Sequence, residues 1–101
     1  MDLPRFSLDE NVLIQIAKSK GIRELSLFGS VLREDFSDSS DVDLLVVFDS
    51  GADLSYFDIN AIREEFEAFF QRKVDIVEKD AIRNPYRRKR ILETAKLIYA
   101  A

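Results

Sequence analysis

Cysteine and histidine are both absent from the 101-residue chain. Without Cys there is no disulfide framework and no thiolate metal site; without His the commonest zinc ligand and the usual base at neutral pH are missing. Glycine and proline are scarce, three and two residues, while 47% of the chain is hydrophobic and eight residues are Phe. That composition excludes a disordered or fibrous chain and suits one domain, residues 1–101, filling one core. No apolar run comes near the roughly 20 residues of a membrane span, and the acidic start Met1-Asp2 does not fit a signal peptide. A cytoplasmic protein is the expectation. Its chemistry must run on carboxylates, hydroxyls and cations, with 19 Asp plus Glu against 15 Lys plus Arg and a formal charge of −4.

Ser7-Leu8-Asp9-Glu10 reads as a capping box, followed by Val12, Leu13, Ile16 and Ala17 at helical spacing up to Gly21. Ile22, Leu25 and Leu27 then predict a short strand running into Phe28-Gly29, with a brief helical segment over 30–35 and a loop in FSDSSD, 36–41. Val42 to Phe48 is almost continuously β-branched or apolar, as in a strand covered on both faces. Phe57, Ile59, Ile62, Phe66, Phe69 and Phe70 predict an amphipathic helix with a core-facing stripe, and Lys73 to Glu78 a third strand. After Asn84-Pro85, the positions Ile91, Leu92, Ala95, Leu97, Ile98 and Tyr99 predict a closing helix. The expected fold class is α+β, an α/β sandwich with helices packed on a mixed sheet.

Asp43 is an acidic residue inside an apolar strand. Asp41 lies two residues before it, so in an extended chain both carboxylates project to one side. Residues 34–58 hold eight acidic residues and no Lys or Arg, so no local salt bridge neutralises the pair. Asp75 lies in a second apolar strand, and an adjacent strand would stand about 4.8 Å away. Three such carboxylates form an oxygen-rich site for a hard divalent cation, Mg2+ above all. A turn residue at Asp41 and a solvated edge residue at Asp43 is the plainer alternative. Gly29-Ser30 ends a strand, and there a glycine admits close backbone approach of a phosphate or simply makes a turn. Arg33 faces the same anion or solvent. The cluster Arg83, Arg87, Arg88, Lys89 and Arg90 is a solvated helix face or a site for an anionic group or acidic partner; the negative net charge and the lack of a basic-aromatic stacking motif argue against direct nucleic-acid binding.

Gly29-Ser30, ten residues, then Asp41-Val42-Asp43 resembles the signature of the nucleotidyltransferase superfamily related to DNA polymerase beta, and Asp75 fits its third Asp. The short chain and the closing NPYRRKRILETAKLIYA are similar to the minimal nucleotidyltransferase (MNT) family. The chain departs from the pattern at Glu34, where many members carry glycine. The resemblance implies a polymerase-beta-like fold, ATP as substrate and two Mg2+ as cofactors. Gly29 and Ser30, with Arg33, would bind the nucleotide; Asp41 and Asp43 would hold both metals, and Asp75 would complete the catalytic site and accept the acceptor's proton. It further implies an antitoxin paired in a hetero-oligomer with a HEPN-domain ribonuclease toxin and silencing it by AMP transfer to a tyrosine hydroxyl. The other readings are a non-catalytic antitoxin acting by contact alone and an enzyme for a small hydroxylated molecule.

Overall fold

The structure, a computed structural model, describes residues 7–37 and 39–101. Met1, Asp2 and the loop residue Asp38 lie outside the described residues. The element order is α1 (Glu10–Ser19), β1 (Ile22–Phe28), a 3-10 turn (Gly29–Leu32), β2 (Val42–Phe48), α2 (Tyr56–Phe70), β3 (Val74–Glu78), a second 3-10 turn (Lys79–Ala81), α3 (Pro85–Thr94) and β4 (Lys96–Ala100).

Helix ends follow local chemistry. The cap of α1 is Asp9 rather than Ser7: its carboxylate accepts from Asn11 N at 3.1 Å and Val12 N at 3.3 Å, because Asp9 directly precedes the first helical residue. A capping box does occur at α2, where Ser55 Oγ accepts from Asp58 N at 3.2 Å and Asp58 accepts from Ser55 N at 2.9 Å. The Ser55 N–H, together with the Ser55 hydroxyl that donates at 3.0 Å, holds the Asp58 carboxyl below its ordinary value. Asn84 caps α3 by accepting from Tyr86 N and Arg87 N, with Pro85 pre-set for the first turn.

The sheet is mixed, in the order β3-β2-β1-β4. Strand β1 pairs antiparallel with β2 and β4, whereas β2 and β3 are parallel across the α2 crossover. One face carries the larger core, in which α1 and α2 bring Leu13, Ala17, Ile62 and Phe66 against Leu25, Leu27, Leu44 and Val46. Each of the larger side chains, fully buried, contributes about 1.5–3 kcal/mol. The opposite face holds a smaller cluster, Phe28, Leu45, Ile82 and Ile91, under the short α3.

Two expectations are corrected. The closing helix stops at Thr94, Ala95 is extended (φ −62°, ψ 142°), and Lys96–Ala100 is a strand that buries Ile98. Leu97, Ile98 and Tyr99 suit a strand, and placing them there occupies the free hydrogen-bonding edge of β1. Phe57 does not join the core stripe of α2: it is 82% exposed, because at about 100° per residue it sits roughly half a turn from Phe66.

Candidate active site

The site lies on the α3 face of the sheet, at the end where β2 begins. Along β2, Val42, Leu44 and Val46 enter the larger core, so Asp43 shares the opposite face with Leu45. In β3, Asp75 likewise shares its face with Val77, which packs against the smaller cluster. Asp43 and Asp75 are direct register partners, which sets their backbones about 4.8 Å apart with both side chains on one face. On its other side Asp43 pairs with Phe28, the last residue of β1. The expected adjacency of the two acidic strands is thereby realised in register. Asp41 is exposed and immediately precedes β2.

Gly29 turns the chain at φ +77°, where L side chains are strained. A Cβ at this position would collide with Asp43 Oδ2 and stand 3.3 Å from its Cγ, so the backbone of the turn and the carboxylate are in direct apposition. Ser30 Oγ points to the Asp41 carbonyl at 3.5 Å. Arg33 follows the turn and pairs with Asp35 at 3.1 Å, both largely exposed. Glu34, at the position of the usual glycine, is exposed.

Charge is concentrated at Asp43. Its carboxyl is raised above the ordinary value, first by burial and then by the negative charges of Asp75 and Asp41; Arg33 and Arg87 draw it partly back. No group of three or more Asp or Glu among the described residues forms a ready-made cation cage. Mg2+ does not require one, since it typically takes one or two carboxylates together with substrate phosphates. A half-buried carboxylate crowded by two like charges is a donor set that fits such a cation.

Beside Gly29 opens a cleft of about 540 Å3 lined by Phe28, Gly29, Leu32, Arg33, Arg90, Ile91 and Thr94. The structure thus joins Gly29 and Arg33 in one cleft wall and sets Asp43 directly behind Gly29. Asp41 and Asp75 do not line the cleft. Sequence reasoning missed Arg72, which follows α2: Nη1 donates to Ser37 O at 2.7 Å and Ser40 O at 3.3 Å, and the guanidinium stacks over the Phe36 ring at 4.4 Å. It pins the loop that leads to Asp41, and no local pattern marks it, because its partners are more than 30 residues away in sequence.

A mixed sheet with two acidic strands in register and a glycine turn abutting the carboxylate is the arrangement of a nucleotidyl-transferring domain. The nucleotidyltransferase domain family model matches residues 11–98, and the chain belongs to that family. A Methanocaldococcus jannaschii protein, named as a proposed protein adenylyltransferase, is 36% identical over 78 residues, 77% of this chain and 76% of its own length. A toxin-antitoxin crystal structure with AMP-PNP superposes with a TM-score of 0.75 at 18% identity, covering 93% of this chain and 75% of the other. The complex of a tri-AMPylated Shewanella oneidensis HEPN toxin with its MNT antitoxin gives a TM-score of 0.66 at 17% identity, covering 91% and 70%. These two likenesses show the fold.

Proposed function

We propose that this chain is a protein adenylyltransferase that moves AMP from ATP to a hydroxyl, a tyrosine's above all, on a HEPN-type toxin partner, and so acts as its antitoxin. The observation that carries the reading is the register pairing of Asp43 with Asp75 directly behind Gly29. The M. jannaschii relative's name and the AMPylated toxin in the S. oneidensis complex support the acceptor class.

In this reading the Gly29-Ser30 turn and Arg33 bind the β- and γ-phosphates, where the bare glycine lets backbone N–H groups approach. Asp41 and Asp43, with Asp75, would hold Mg2+, which when bound supplies charge neutralisation at the attacking and leaving oxygens. The acceptor hydroxyl oxygen forms a bond to the α-phosphorus, the bond to the bridging oxygen of pyrophosphate breaks, and Asp75 takes the hydroxyl proton. Orientation by the rigid strands supplies the in-line geometry. No histidine base is needed, in agreement with the composition.

Intact-mass spectrometry of the partner toxin after incubation with this protein, ATP and Mg2+ tests the proposal. An increase of about 329 Da per AMP, expected for adenylyl transfer and absent with Asp41→Asn/Asp43→Asn, is the supporting result. A silenced toxin of unchanged mass would instead assign inhibition by binding alone.

A further inference from the structure

The flank of α3 that borders the cleft is polar and exposed on either side of Ile91. Arg87, Arg90, Ile91 and Thr94 fall at i, i+3, i+4 and i+7, the spacing of one helix face. Ile91 is buried against Phe28 and Leu45 as a core residue should be. Its neighbours on the stripe are different: Arg90 and Thr94 line the cleft beside Gly29, and the charge of Arg87 acts on Asp43.

The α3 cations also divide by whether the protein already uses them. Arg88 donates to the Lys79 carbonyl, and Lys89 stands 3.9 Å from Glu93. Neither the Arg87 nor the Arg90 side chain has a hydrogen bond or ion pair among the described residues. Across the cleft, Arg33 is held only by an exposed pair with Asp35, a contact of little worth that an incoming anion readily displaces. Arg87 is moreover the third residue of α3, where the helix end is already positive. The Arg90 guanidinium, without a partner among the described residues and set over an apolar floor of Phe28, Leu32 and Ile91, faces Arg33 across a cleft of about 540 Å3, which makes a receptor for a polyanion with several phosphate oxygens.

We infer that α3 forms the second wall of the nucleotide site, with Arg90 and Arg33 gripping the polyphosphate of the nucleoside triphosphate from opposite sides. This inference rests on the nucleotidyltransferase reading and assigns a binding role to Arg90. Arg90 binds substrate, so its removal weakens binding of the polyphosphate and leaves the chemistry of the carboxylates in place.

The test is binding of a fluorescent mant-ATP to the full chain in Mg2+, with inorganic tripolyphosphate and adenosine as competitors. Arg90→Ala is expected to weaken mant-ATP and tripolyphosphate about tenfold or more, as loss of a charge-assisted contact does, and to leave the adenosine inhibition constant unchanged. Arg90→Lys should recover part of the loss, and Arg83→Ala, outside the cleft, should bind as the parent does. If Arg90→Ala binds both phosphate probes like the parent while the parent transfers AMP, the inference falls and the proposed function stands. Equal weakening of adenosine would overturn it in favour of a nucleoside contact. A parent chain that binds no mant-ATP would overturn both.

Discussion

Gly29 and Asp43 occupy each other's side-chain space: the position a Cβ would take on Gly29 lies within the van der Waals shell of the Asp43 carboxylate. The turn after β1 and the start of β2 are therefore one structural unit, and the glycine is required twice. It supplies a φ of +77° and it leaves room for the acid.

Gly29→Ala should therefore cost more than a left-handed backbone alone. The conformational part is about 1–2 kcal/mol, and the collision with Asp43 adds to it. In the Asp43→Ala background the collision is gone, so the cost of Gly29→Ala should fall back to the conformational part. Urea unfolding of the four proteins measures this coupling; strict additivity would show that the two residues do not meet.

The charge state of Asp43 makes a second prediction. Its proton is held more tightly in the folded chain than in the unfolded one. The folded state thus binds more protons in the window that opens near 3.8 and closes at the raised value. The contribution of Asp43 to stability is fully present below that window, is lost as pH rises through it, and stays absent above it. Asp43→Asn removes this loss. With EDTA present, the variant should be slightly more stable than the parent at pH 7, by under about 1 kcal/mol after solvent screening, and the gain should vanish near pH 3.8. AMP transfer should disappear in the same variant, so that stability and activity move in opposite directions. An Asn variant less stable than the parent at pH 7 would refute the assignment of Asp43 as a crowded, desolvated charge.

How far the site was legible in the sequence differs residue by residue. Asp43 and Asp75 stood out because an acid within a β-branched run conflicts with its surroundings, and such conflicts mark function more often than error. Their register could only be guessed, since pairing is a long-range property; the structure makes them direct partners. The end of the chain was misread for a related reason. Leu97, Ile98 and Tyr99 continue the helical spacing of Ile91 and Leu92, and what decides for a strand is the vacant edge of β1, more than 70 residues earlier in the chain. Phe57 differs in kind: an aromatic near a periodic stripe resembles a member of it, although its phase excludes it. The arginines of α3 were visible as a cluster, but which of them were already paired depended on Lys79 and Glu93.

The start of β3 depends on Glu67. Strand β3 is an edge of the sheet, and the Glu67 carboxylate accepts from Val74 N at 3.0 Å while also pairing with Arg63 at 2.9 Å. Glu67→Ala should destabilise by about 1–2 kcal/mol by leaving that amide without its partner. Glu67→Gln, which keeps an acceptor oxygen, should lose less than half as much. Hydrogen exchange at Val74 provides the local readout: it should accelerate in the Ala variant, and an unchanged rate would remove Glu67 from the anchoring of the strand that carries Asp75.

Arg72 should be required for transfer without touching the reacting groups. Its guanidinium donates to the Ser37 and Ser40 carbonyls and lies over Phe36, a buried residue that anchors the loop in the core. Ser40 adjoins Asp41, so the arginine fixes the loop from which that carboxylate projects toward the start of β2. Losing two hydrogen bonds and a stacking contact at a partly exposed position should cost about 1–2 kcal/mol in stability, which a domain of ordinary stability tolerates. Transfer should suffer more, by about tenfold or more, because small misplacement of a reacting group is costly. Arg72→Lys should not restore it, since an ammonium lacks the planar fork that stacks on Phe36 while donating to the loop. Protease sensitivity of the 36–41 loop should rise in step with the loss of activity. An Arg72→Ala protein that transfers AMP at the parent rate with an equally resistant loop would show that Asp41 is held by β2 alone.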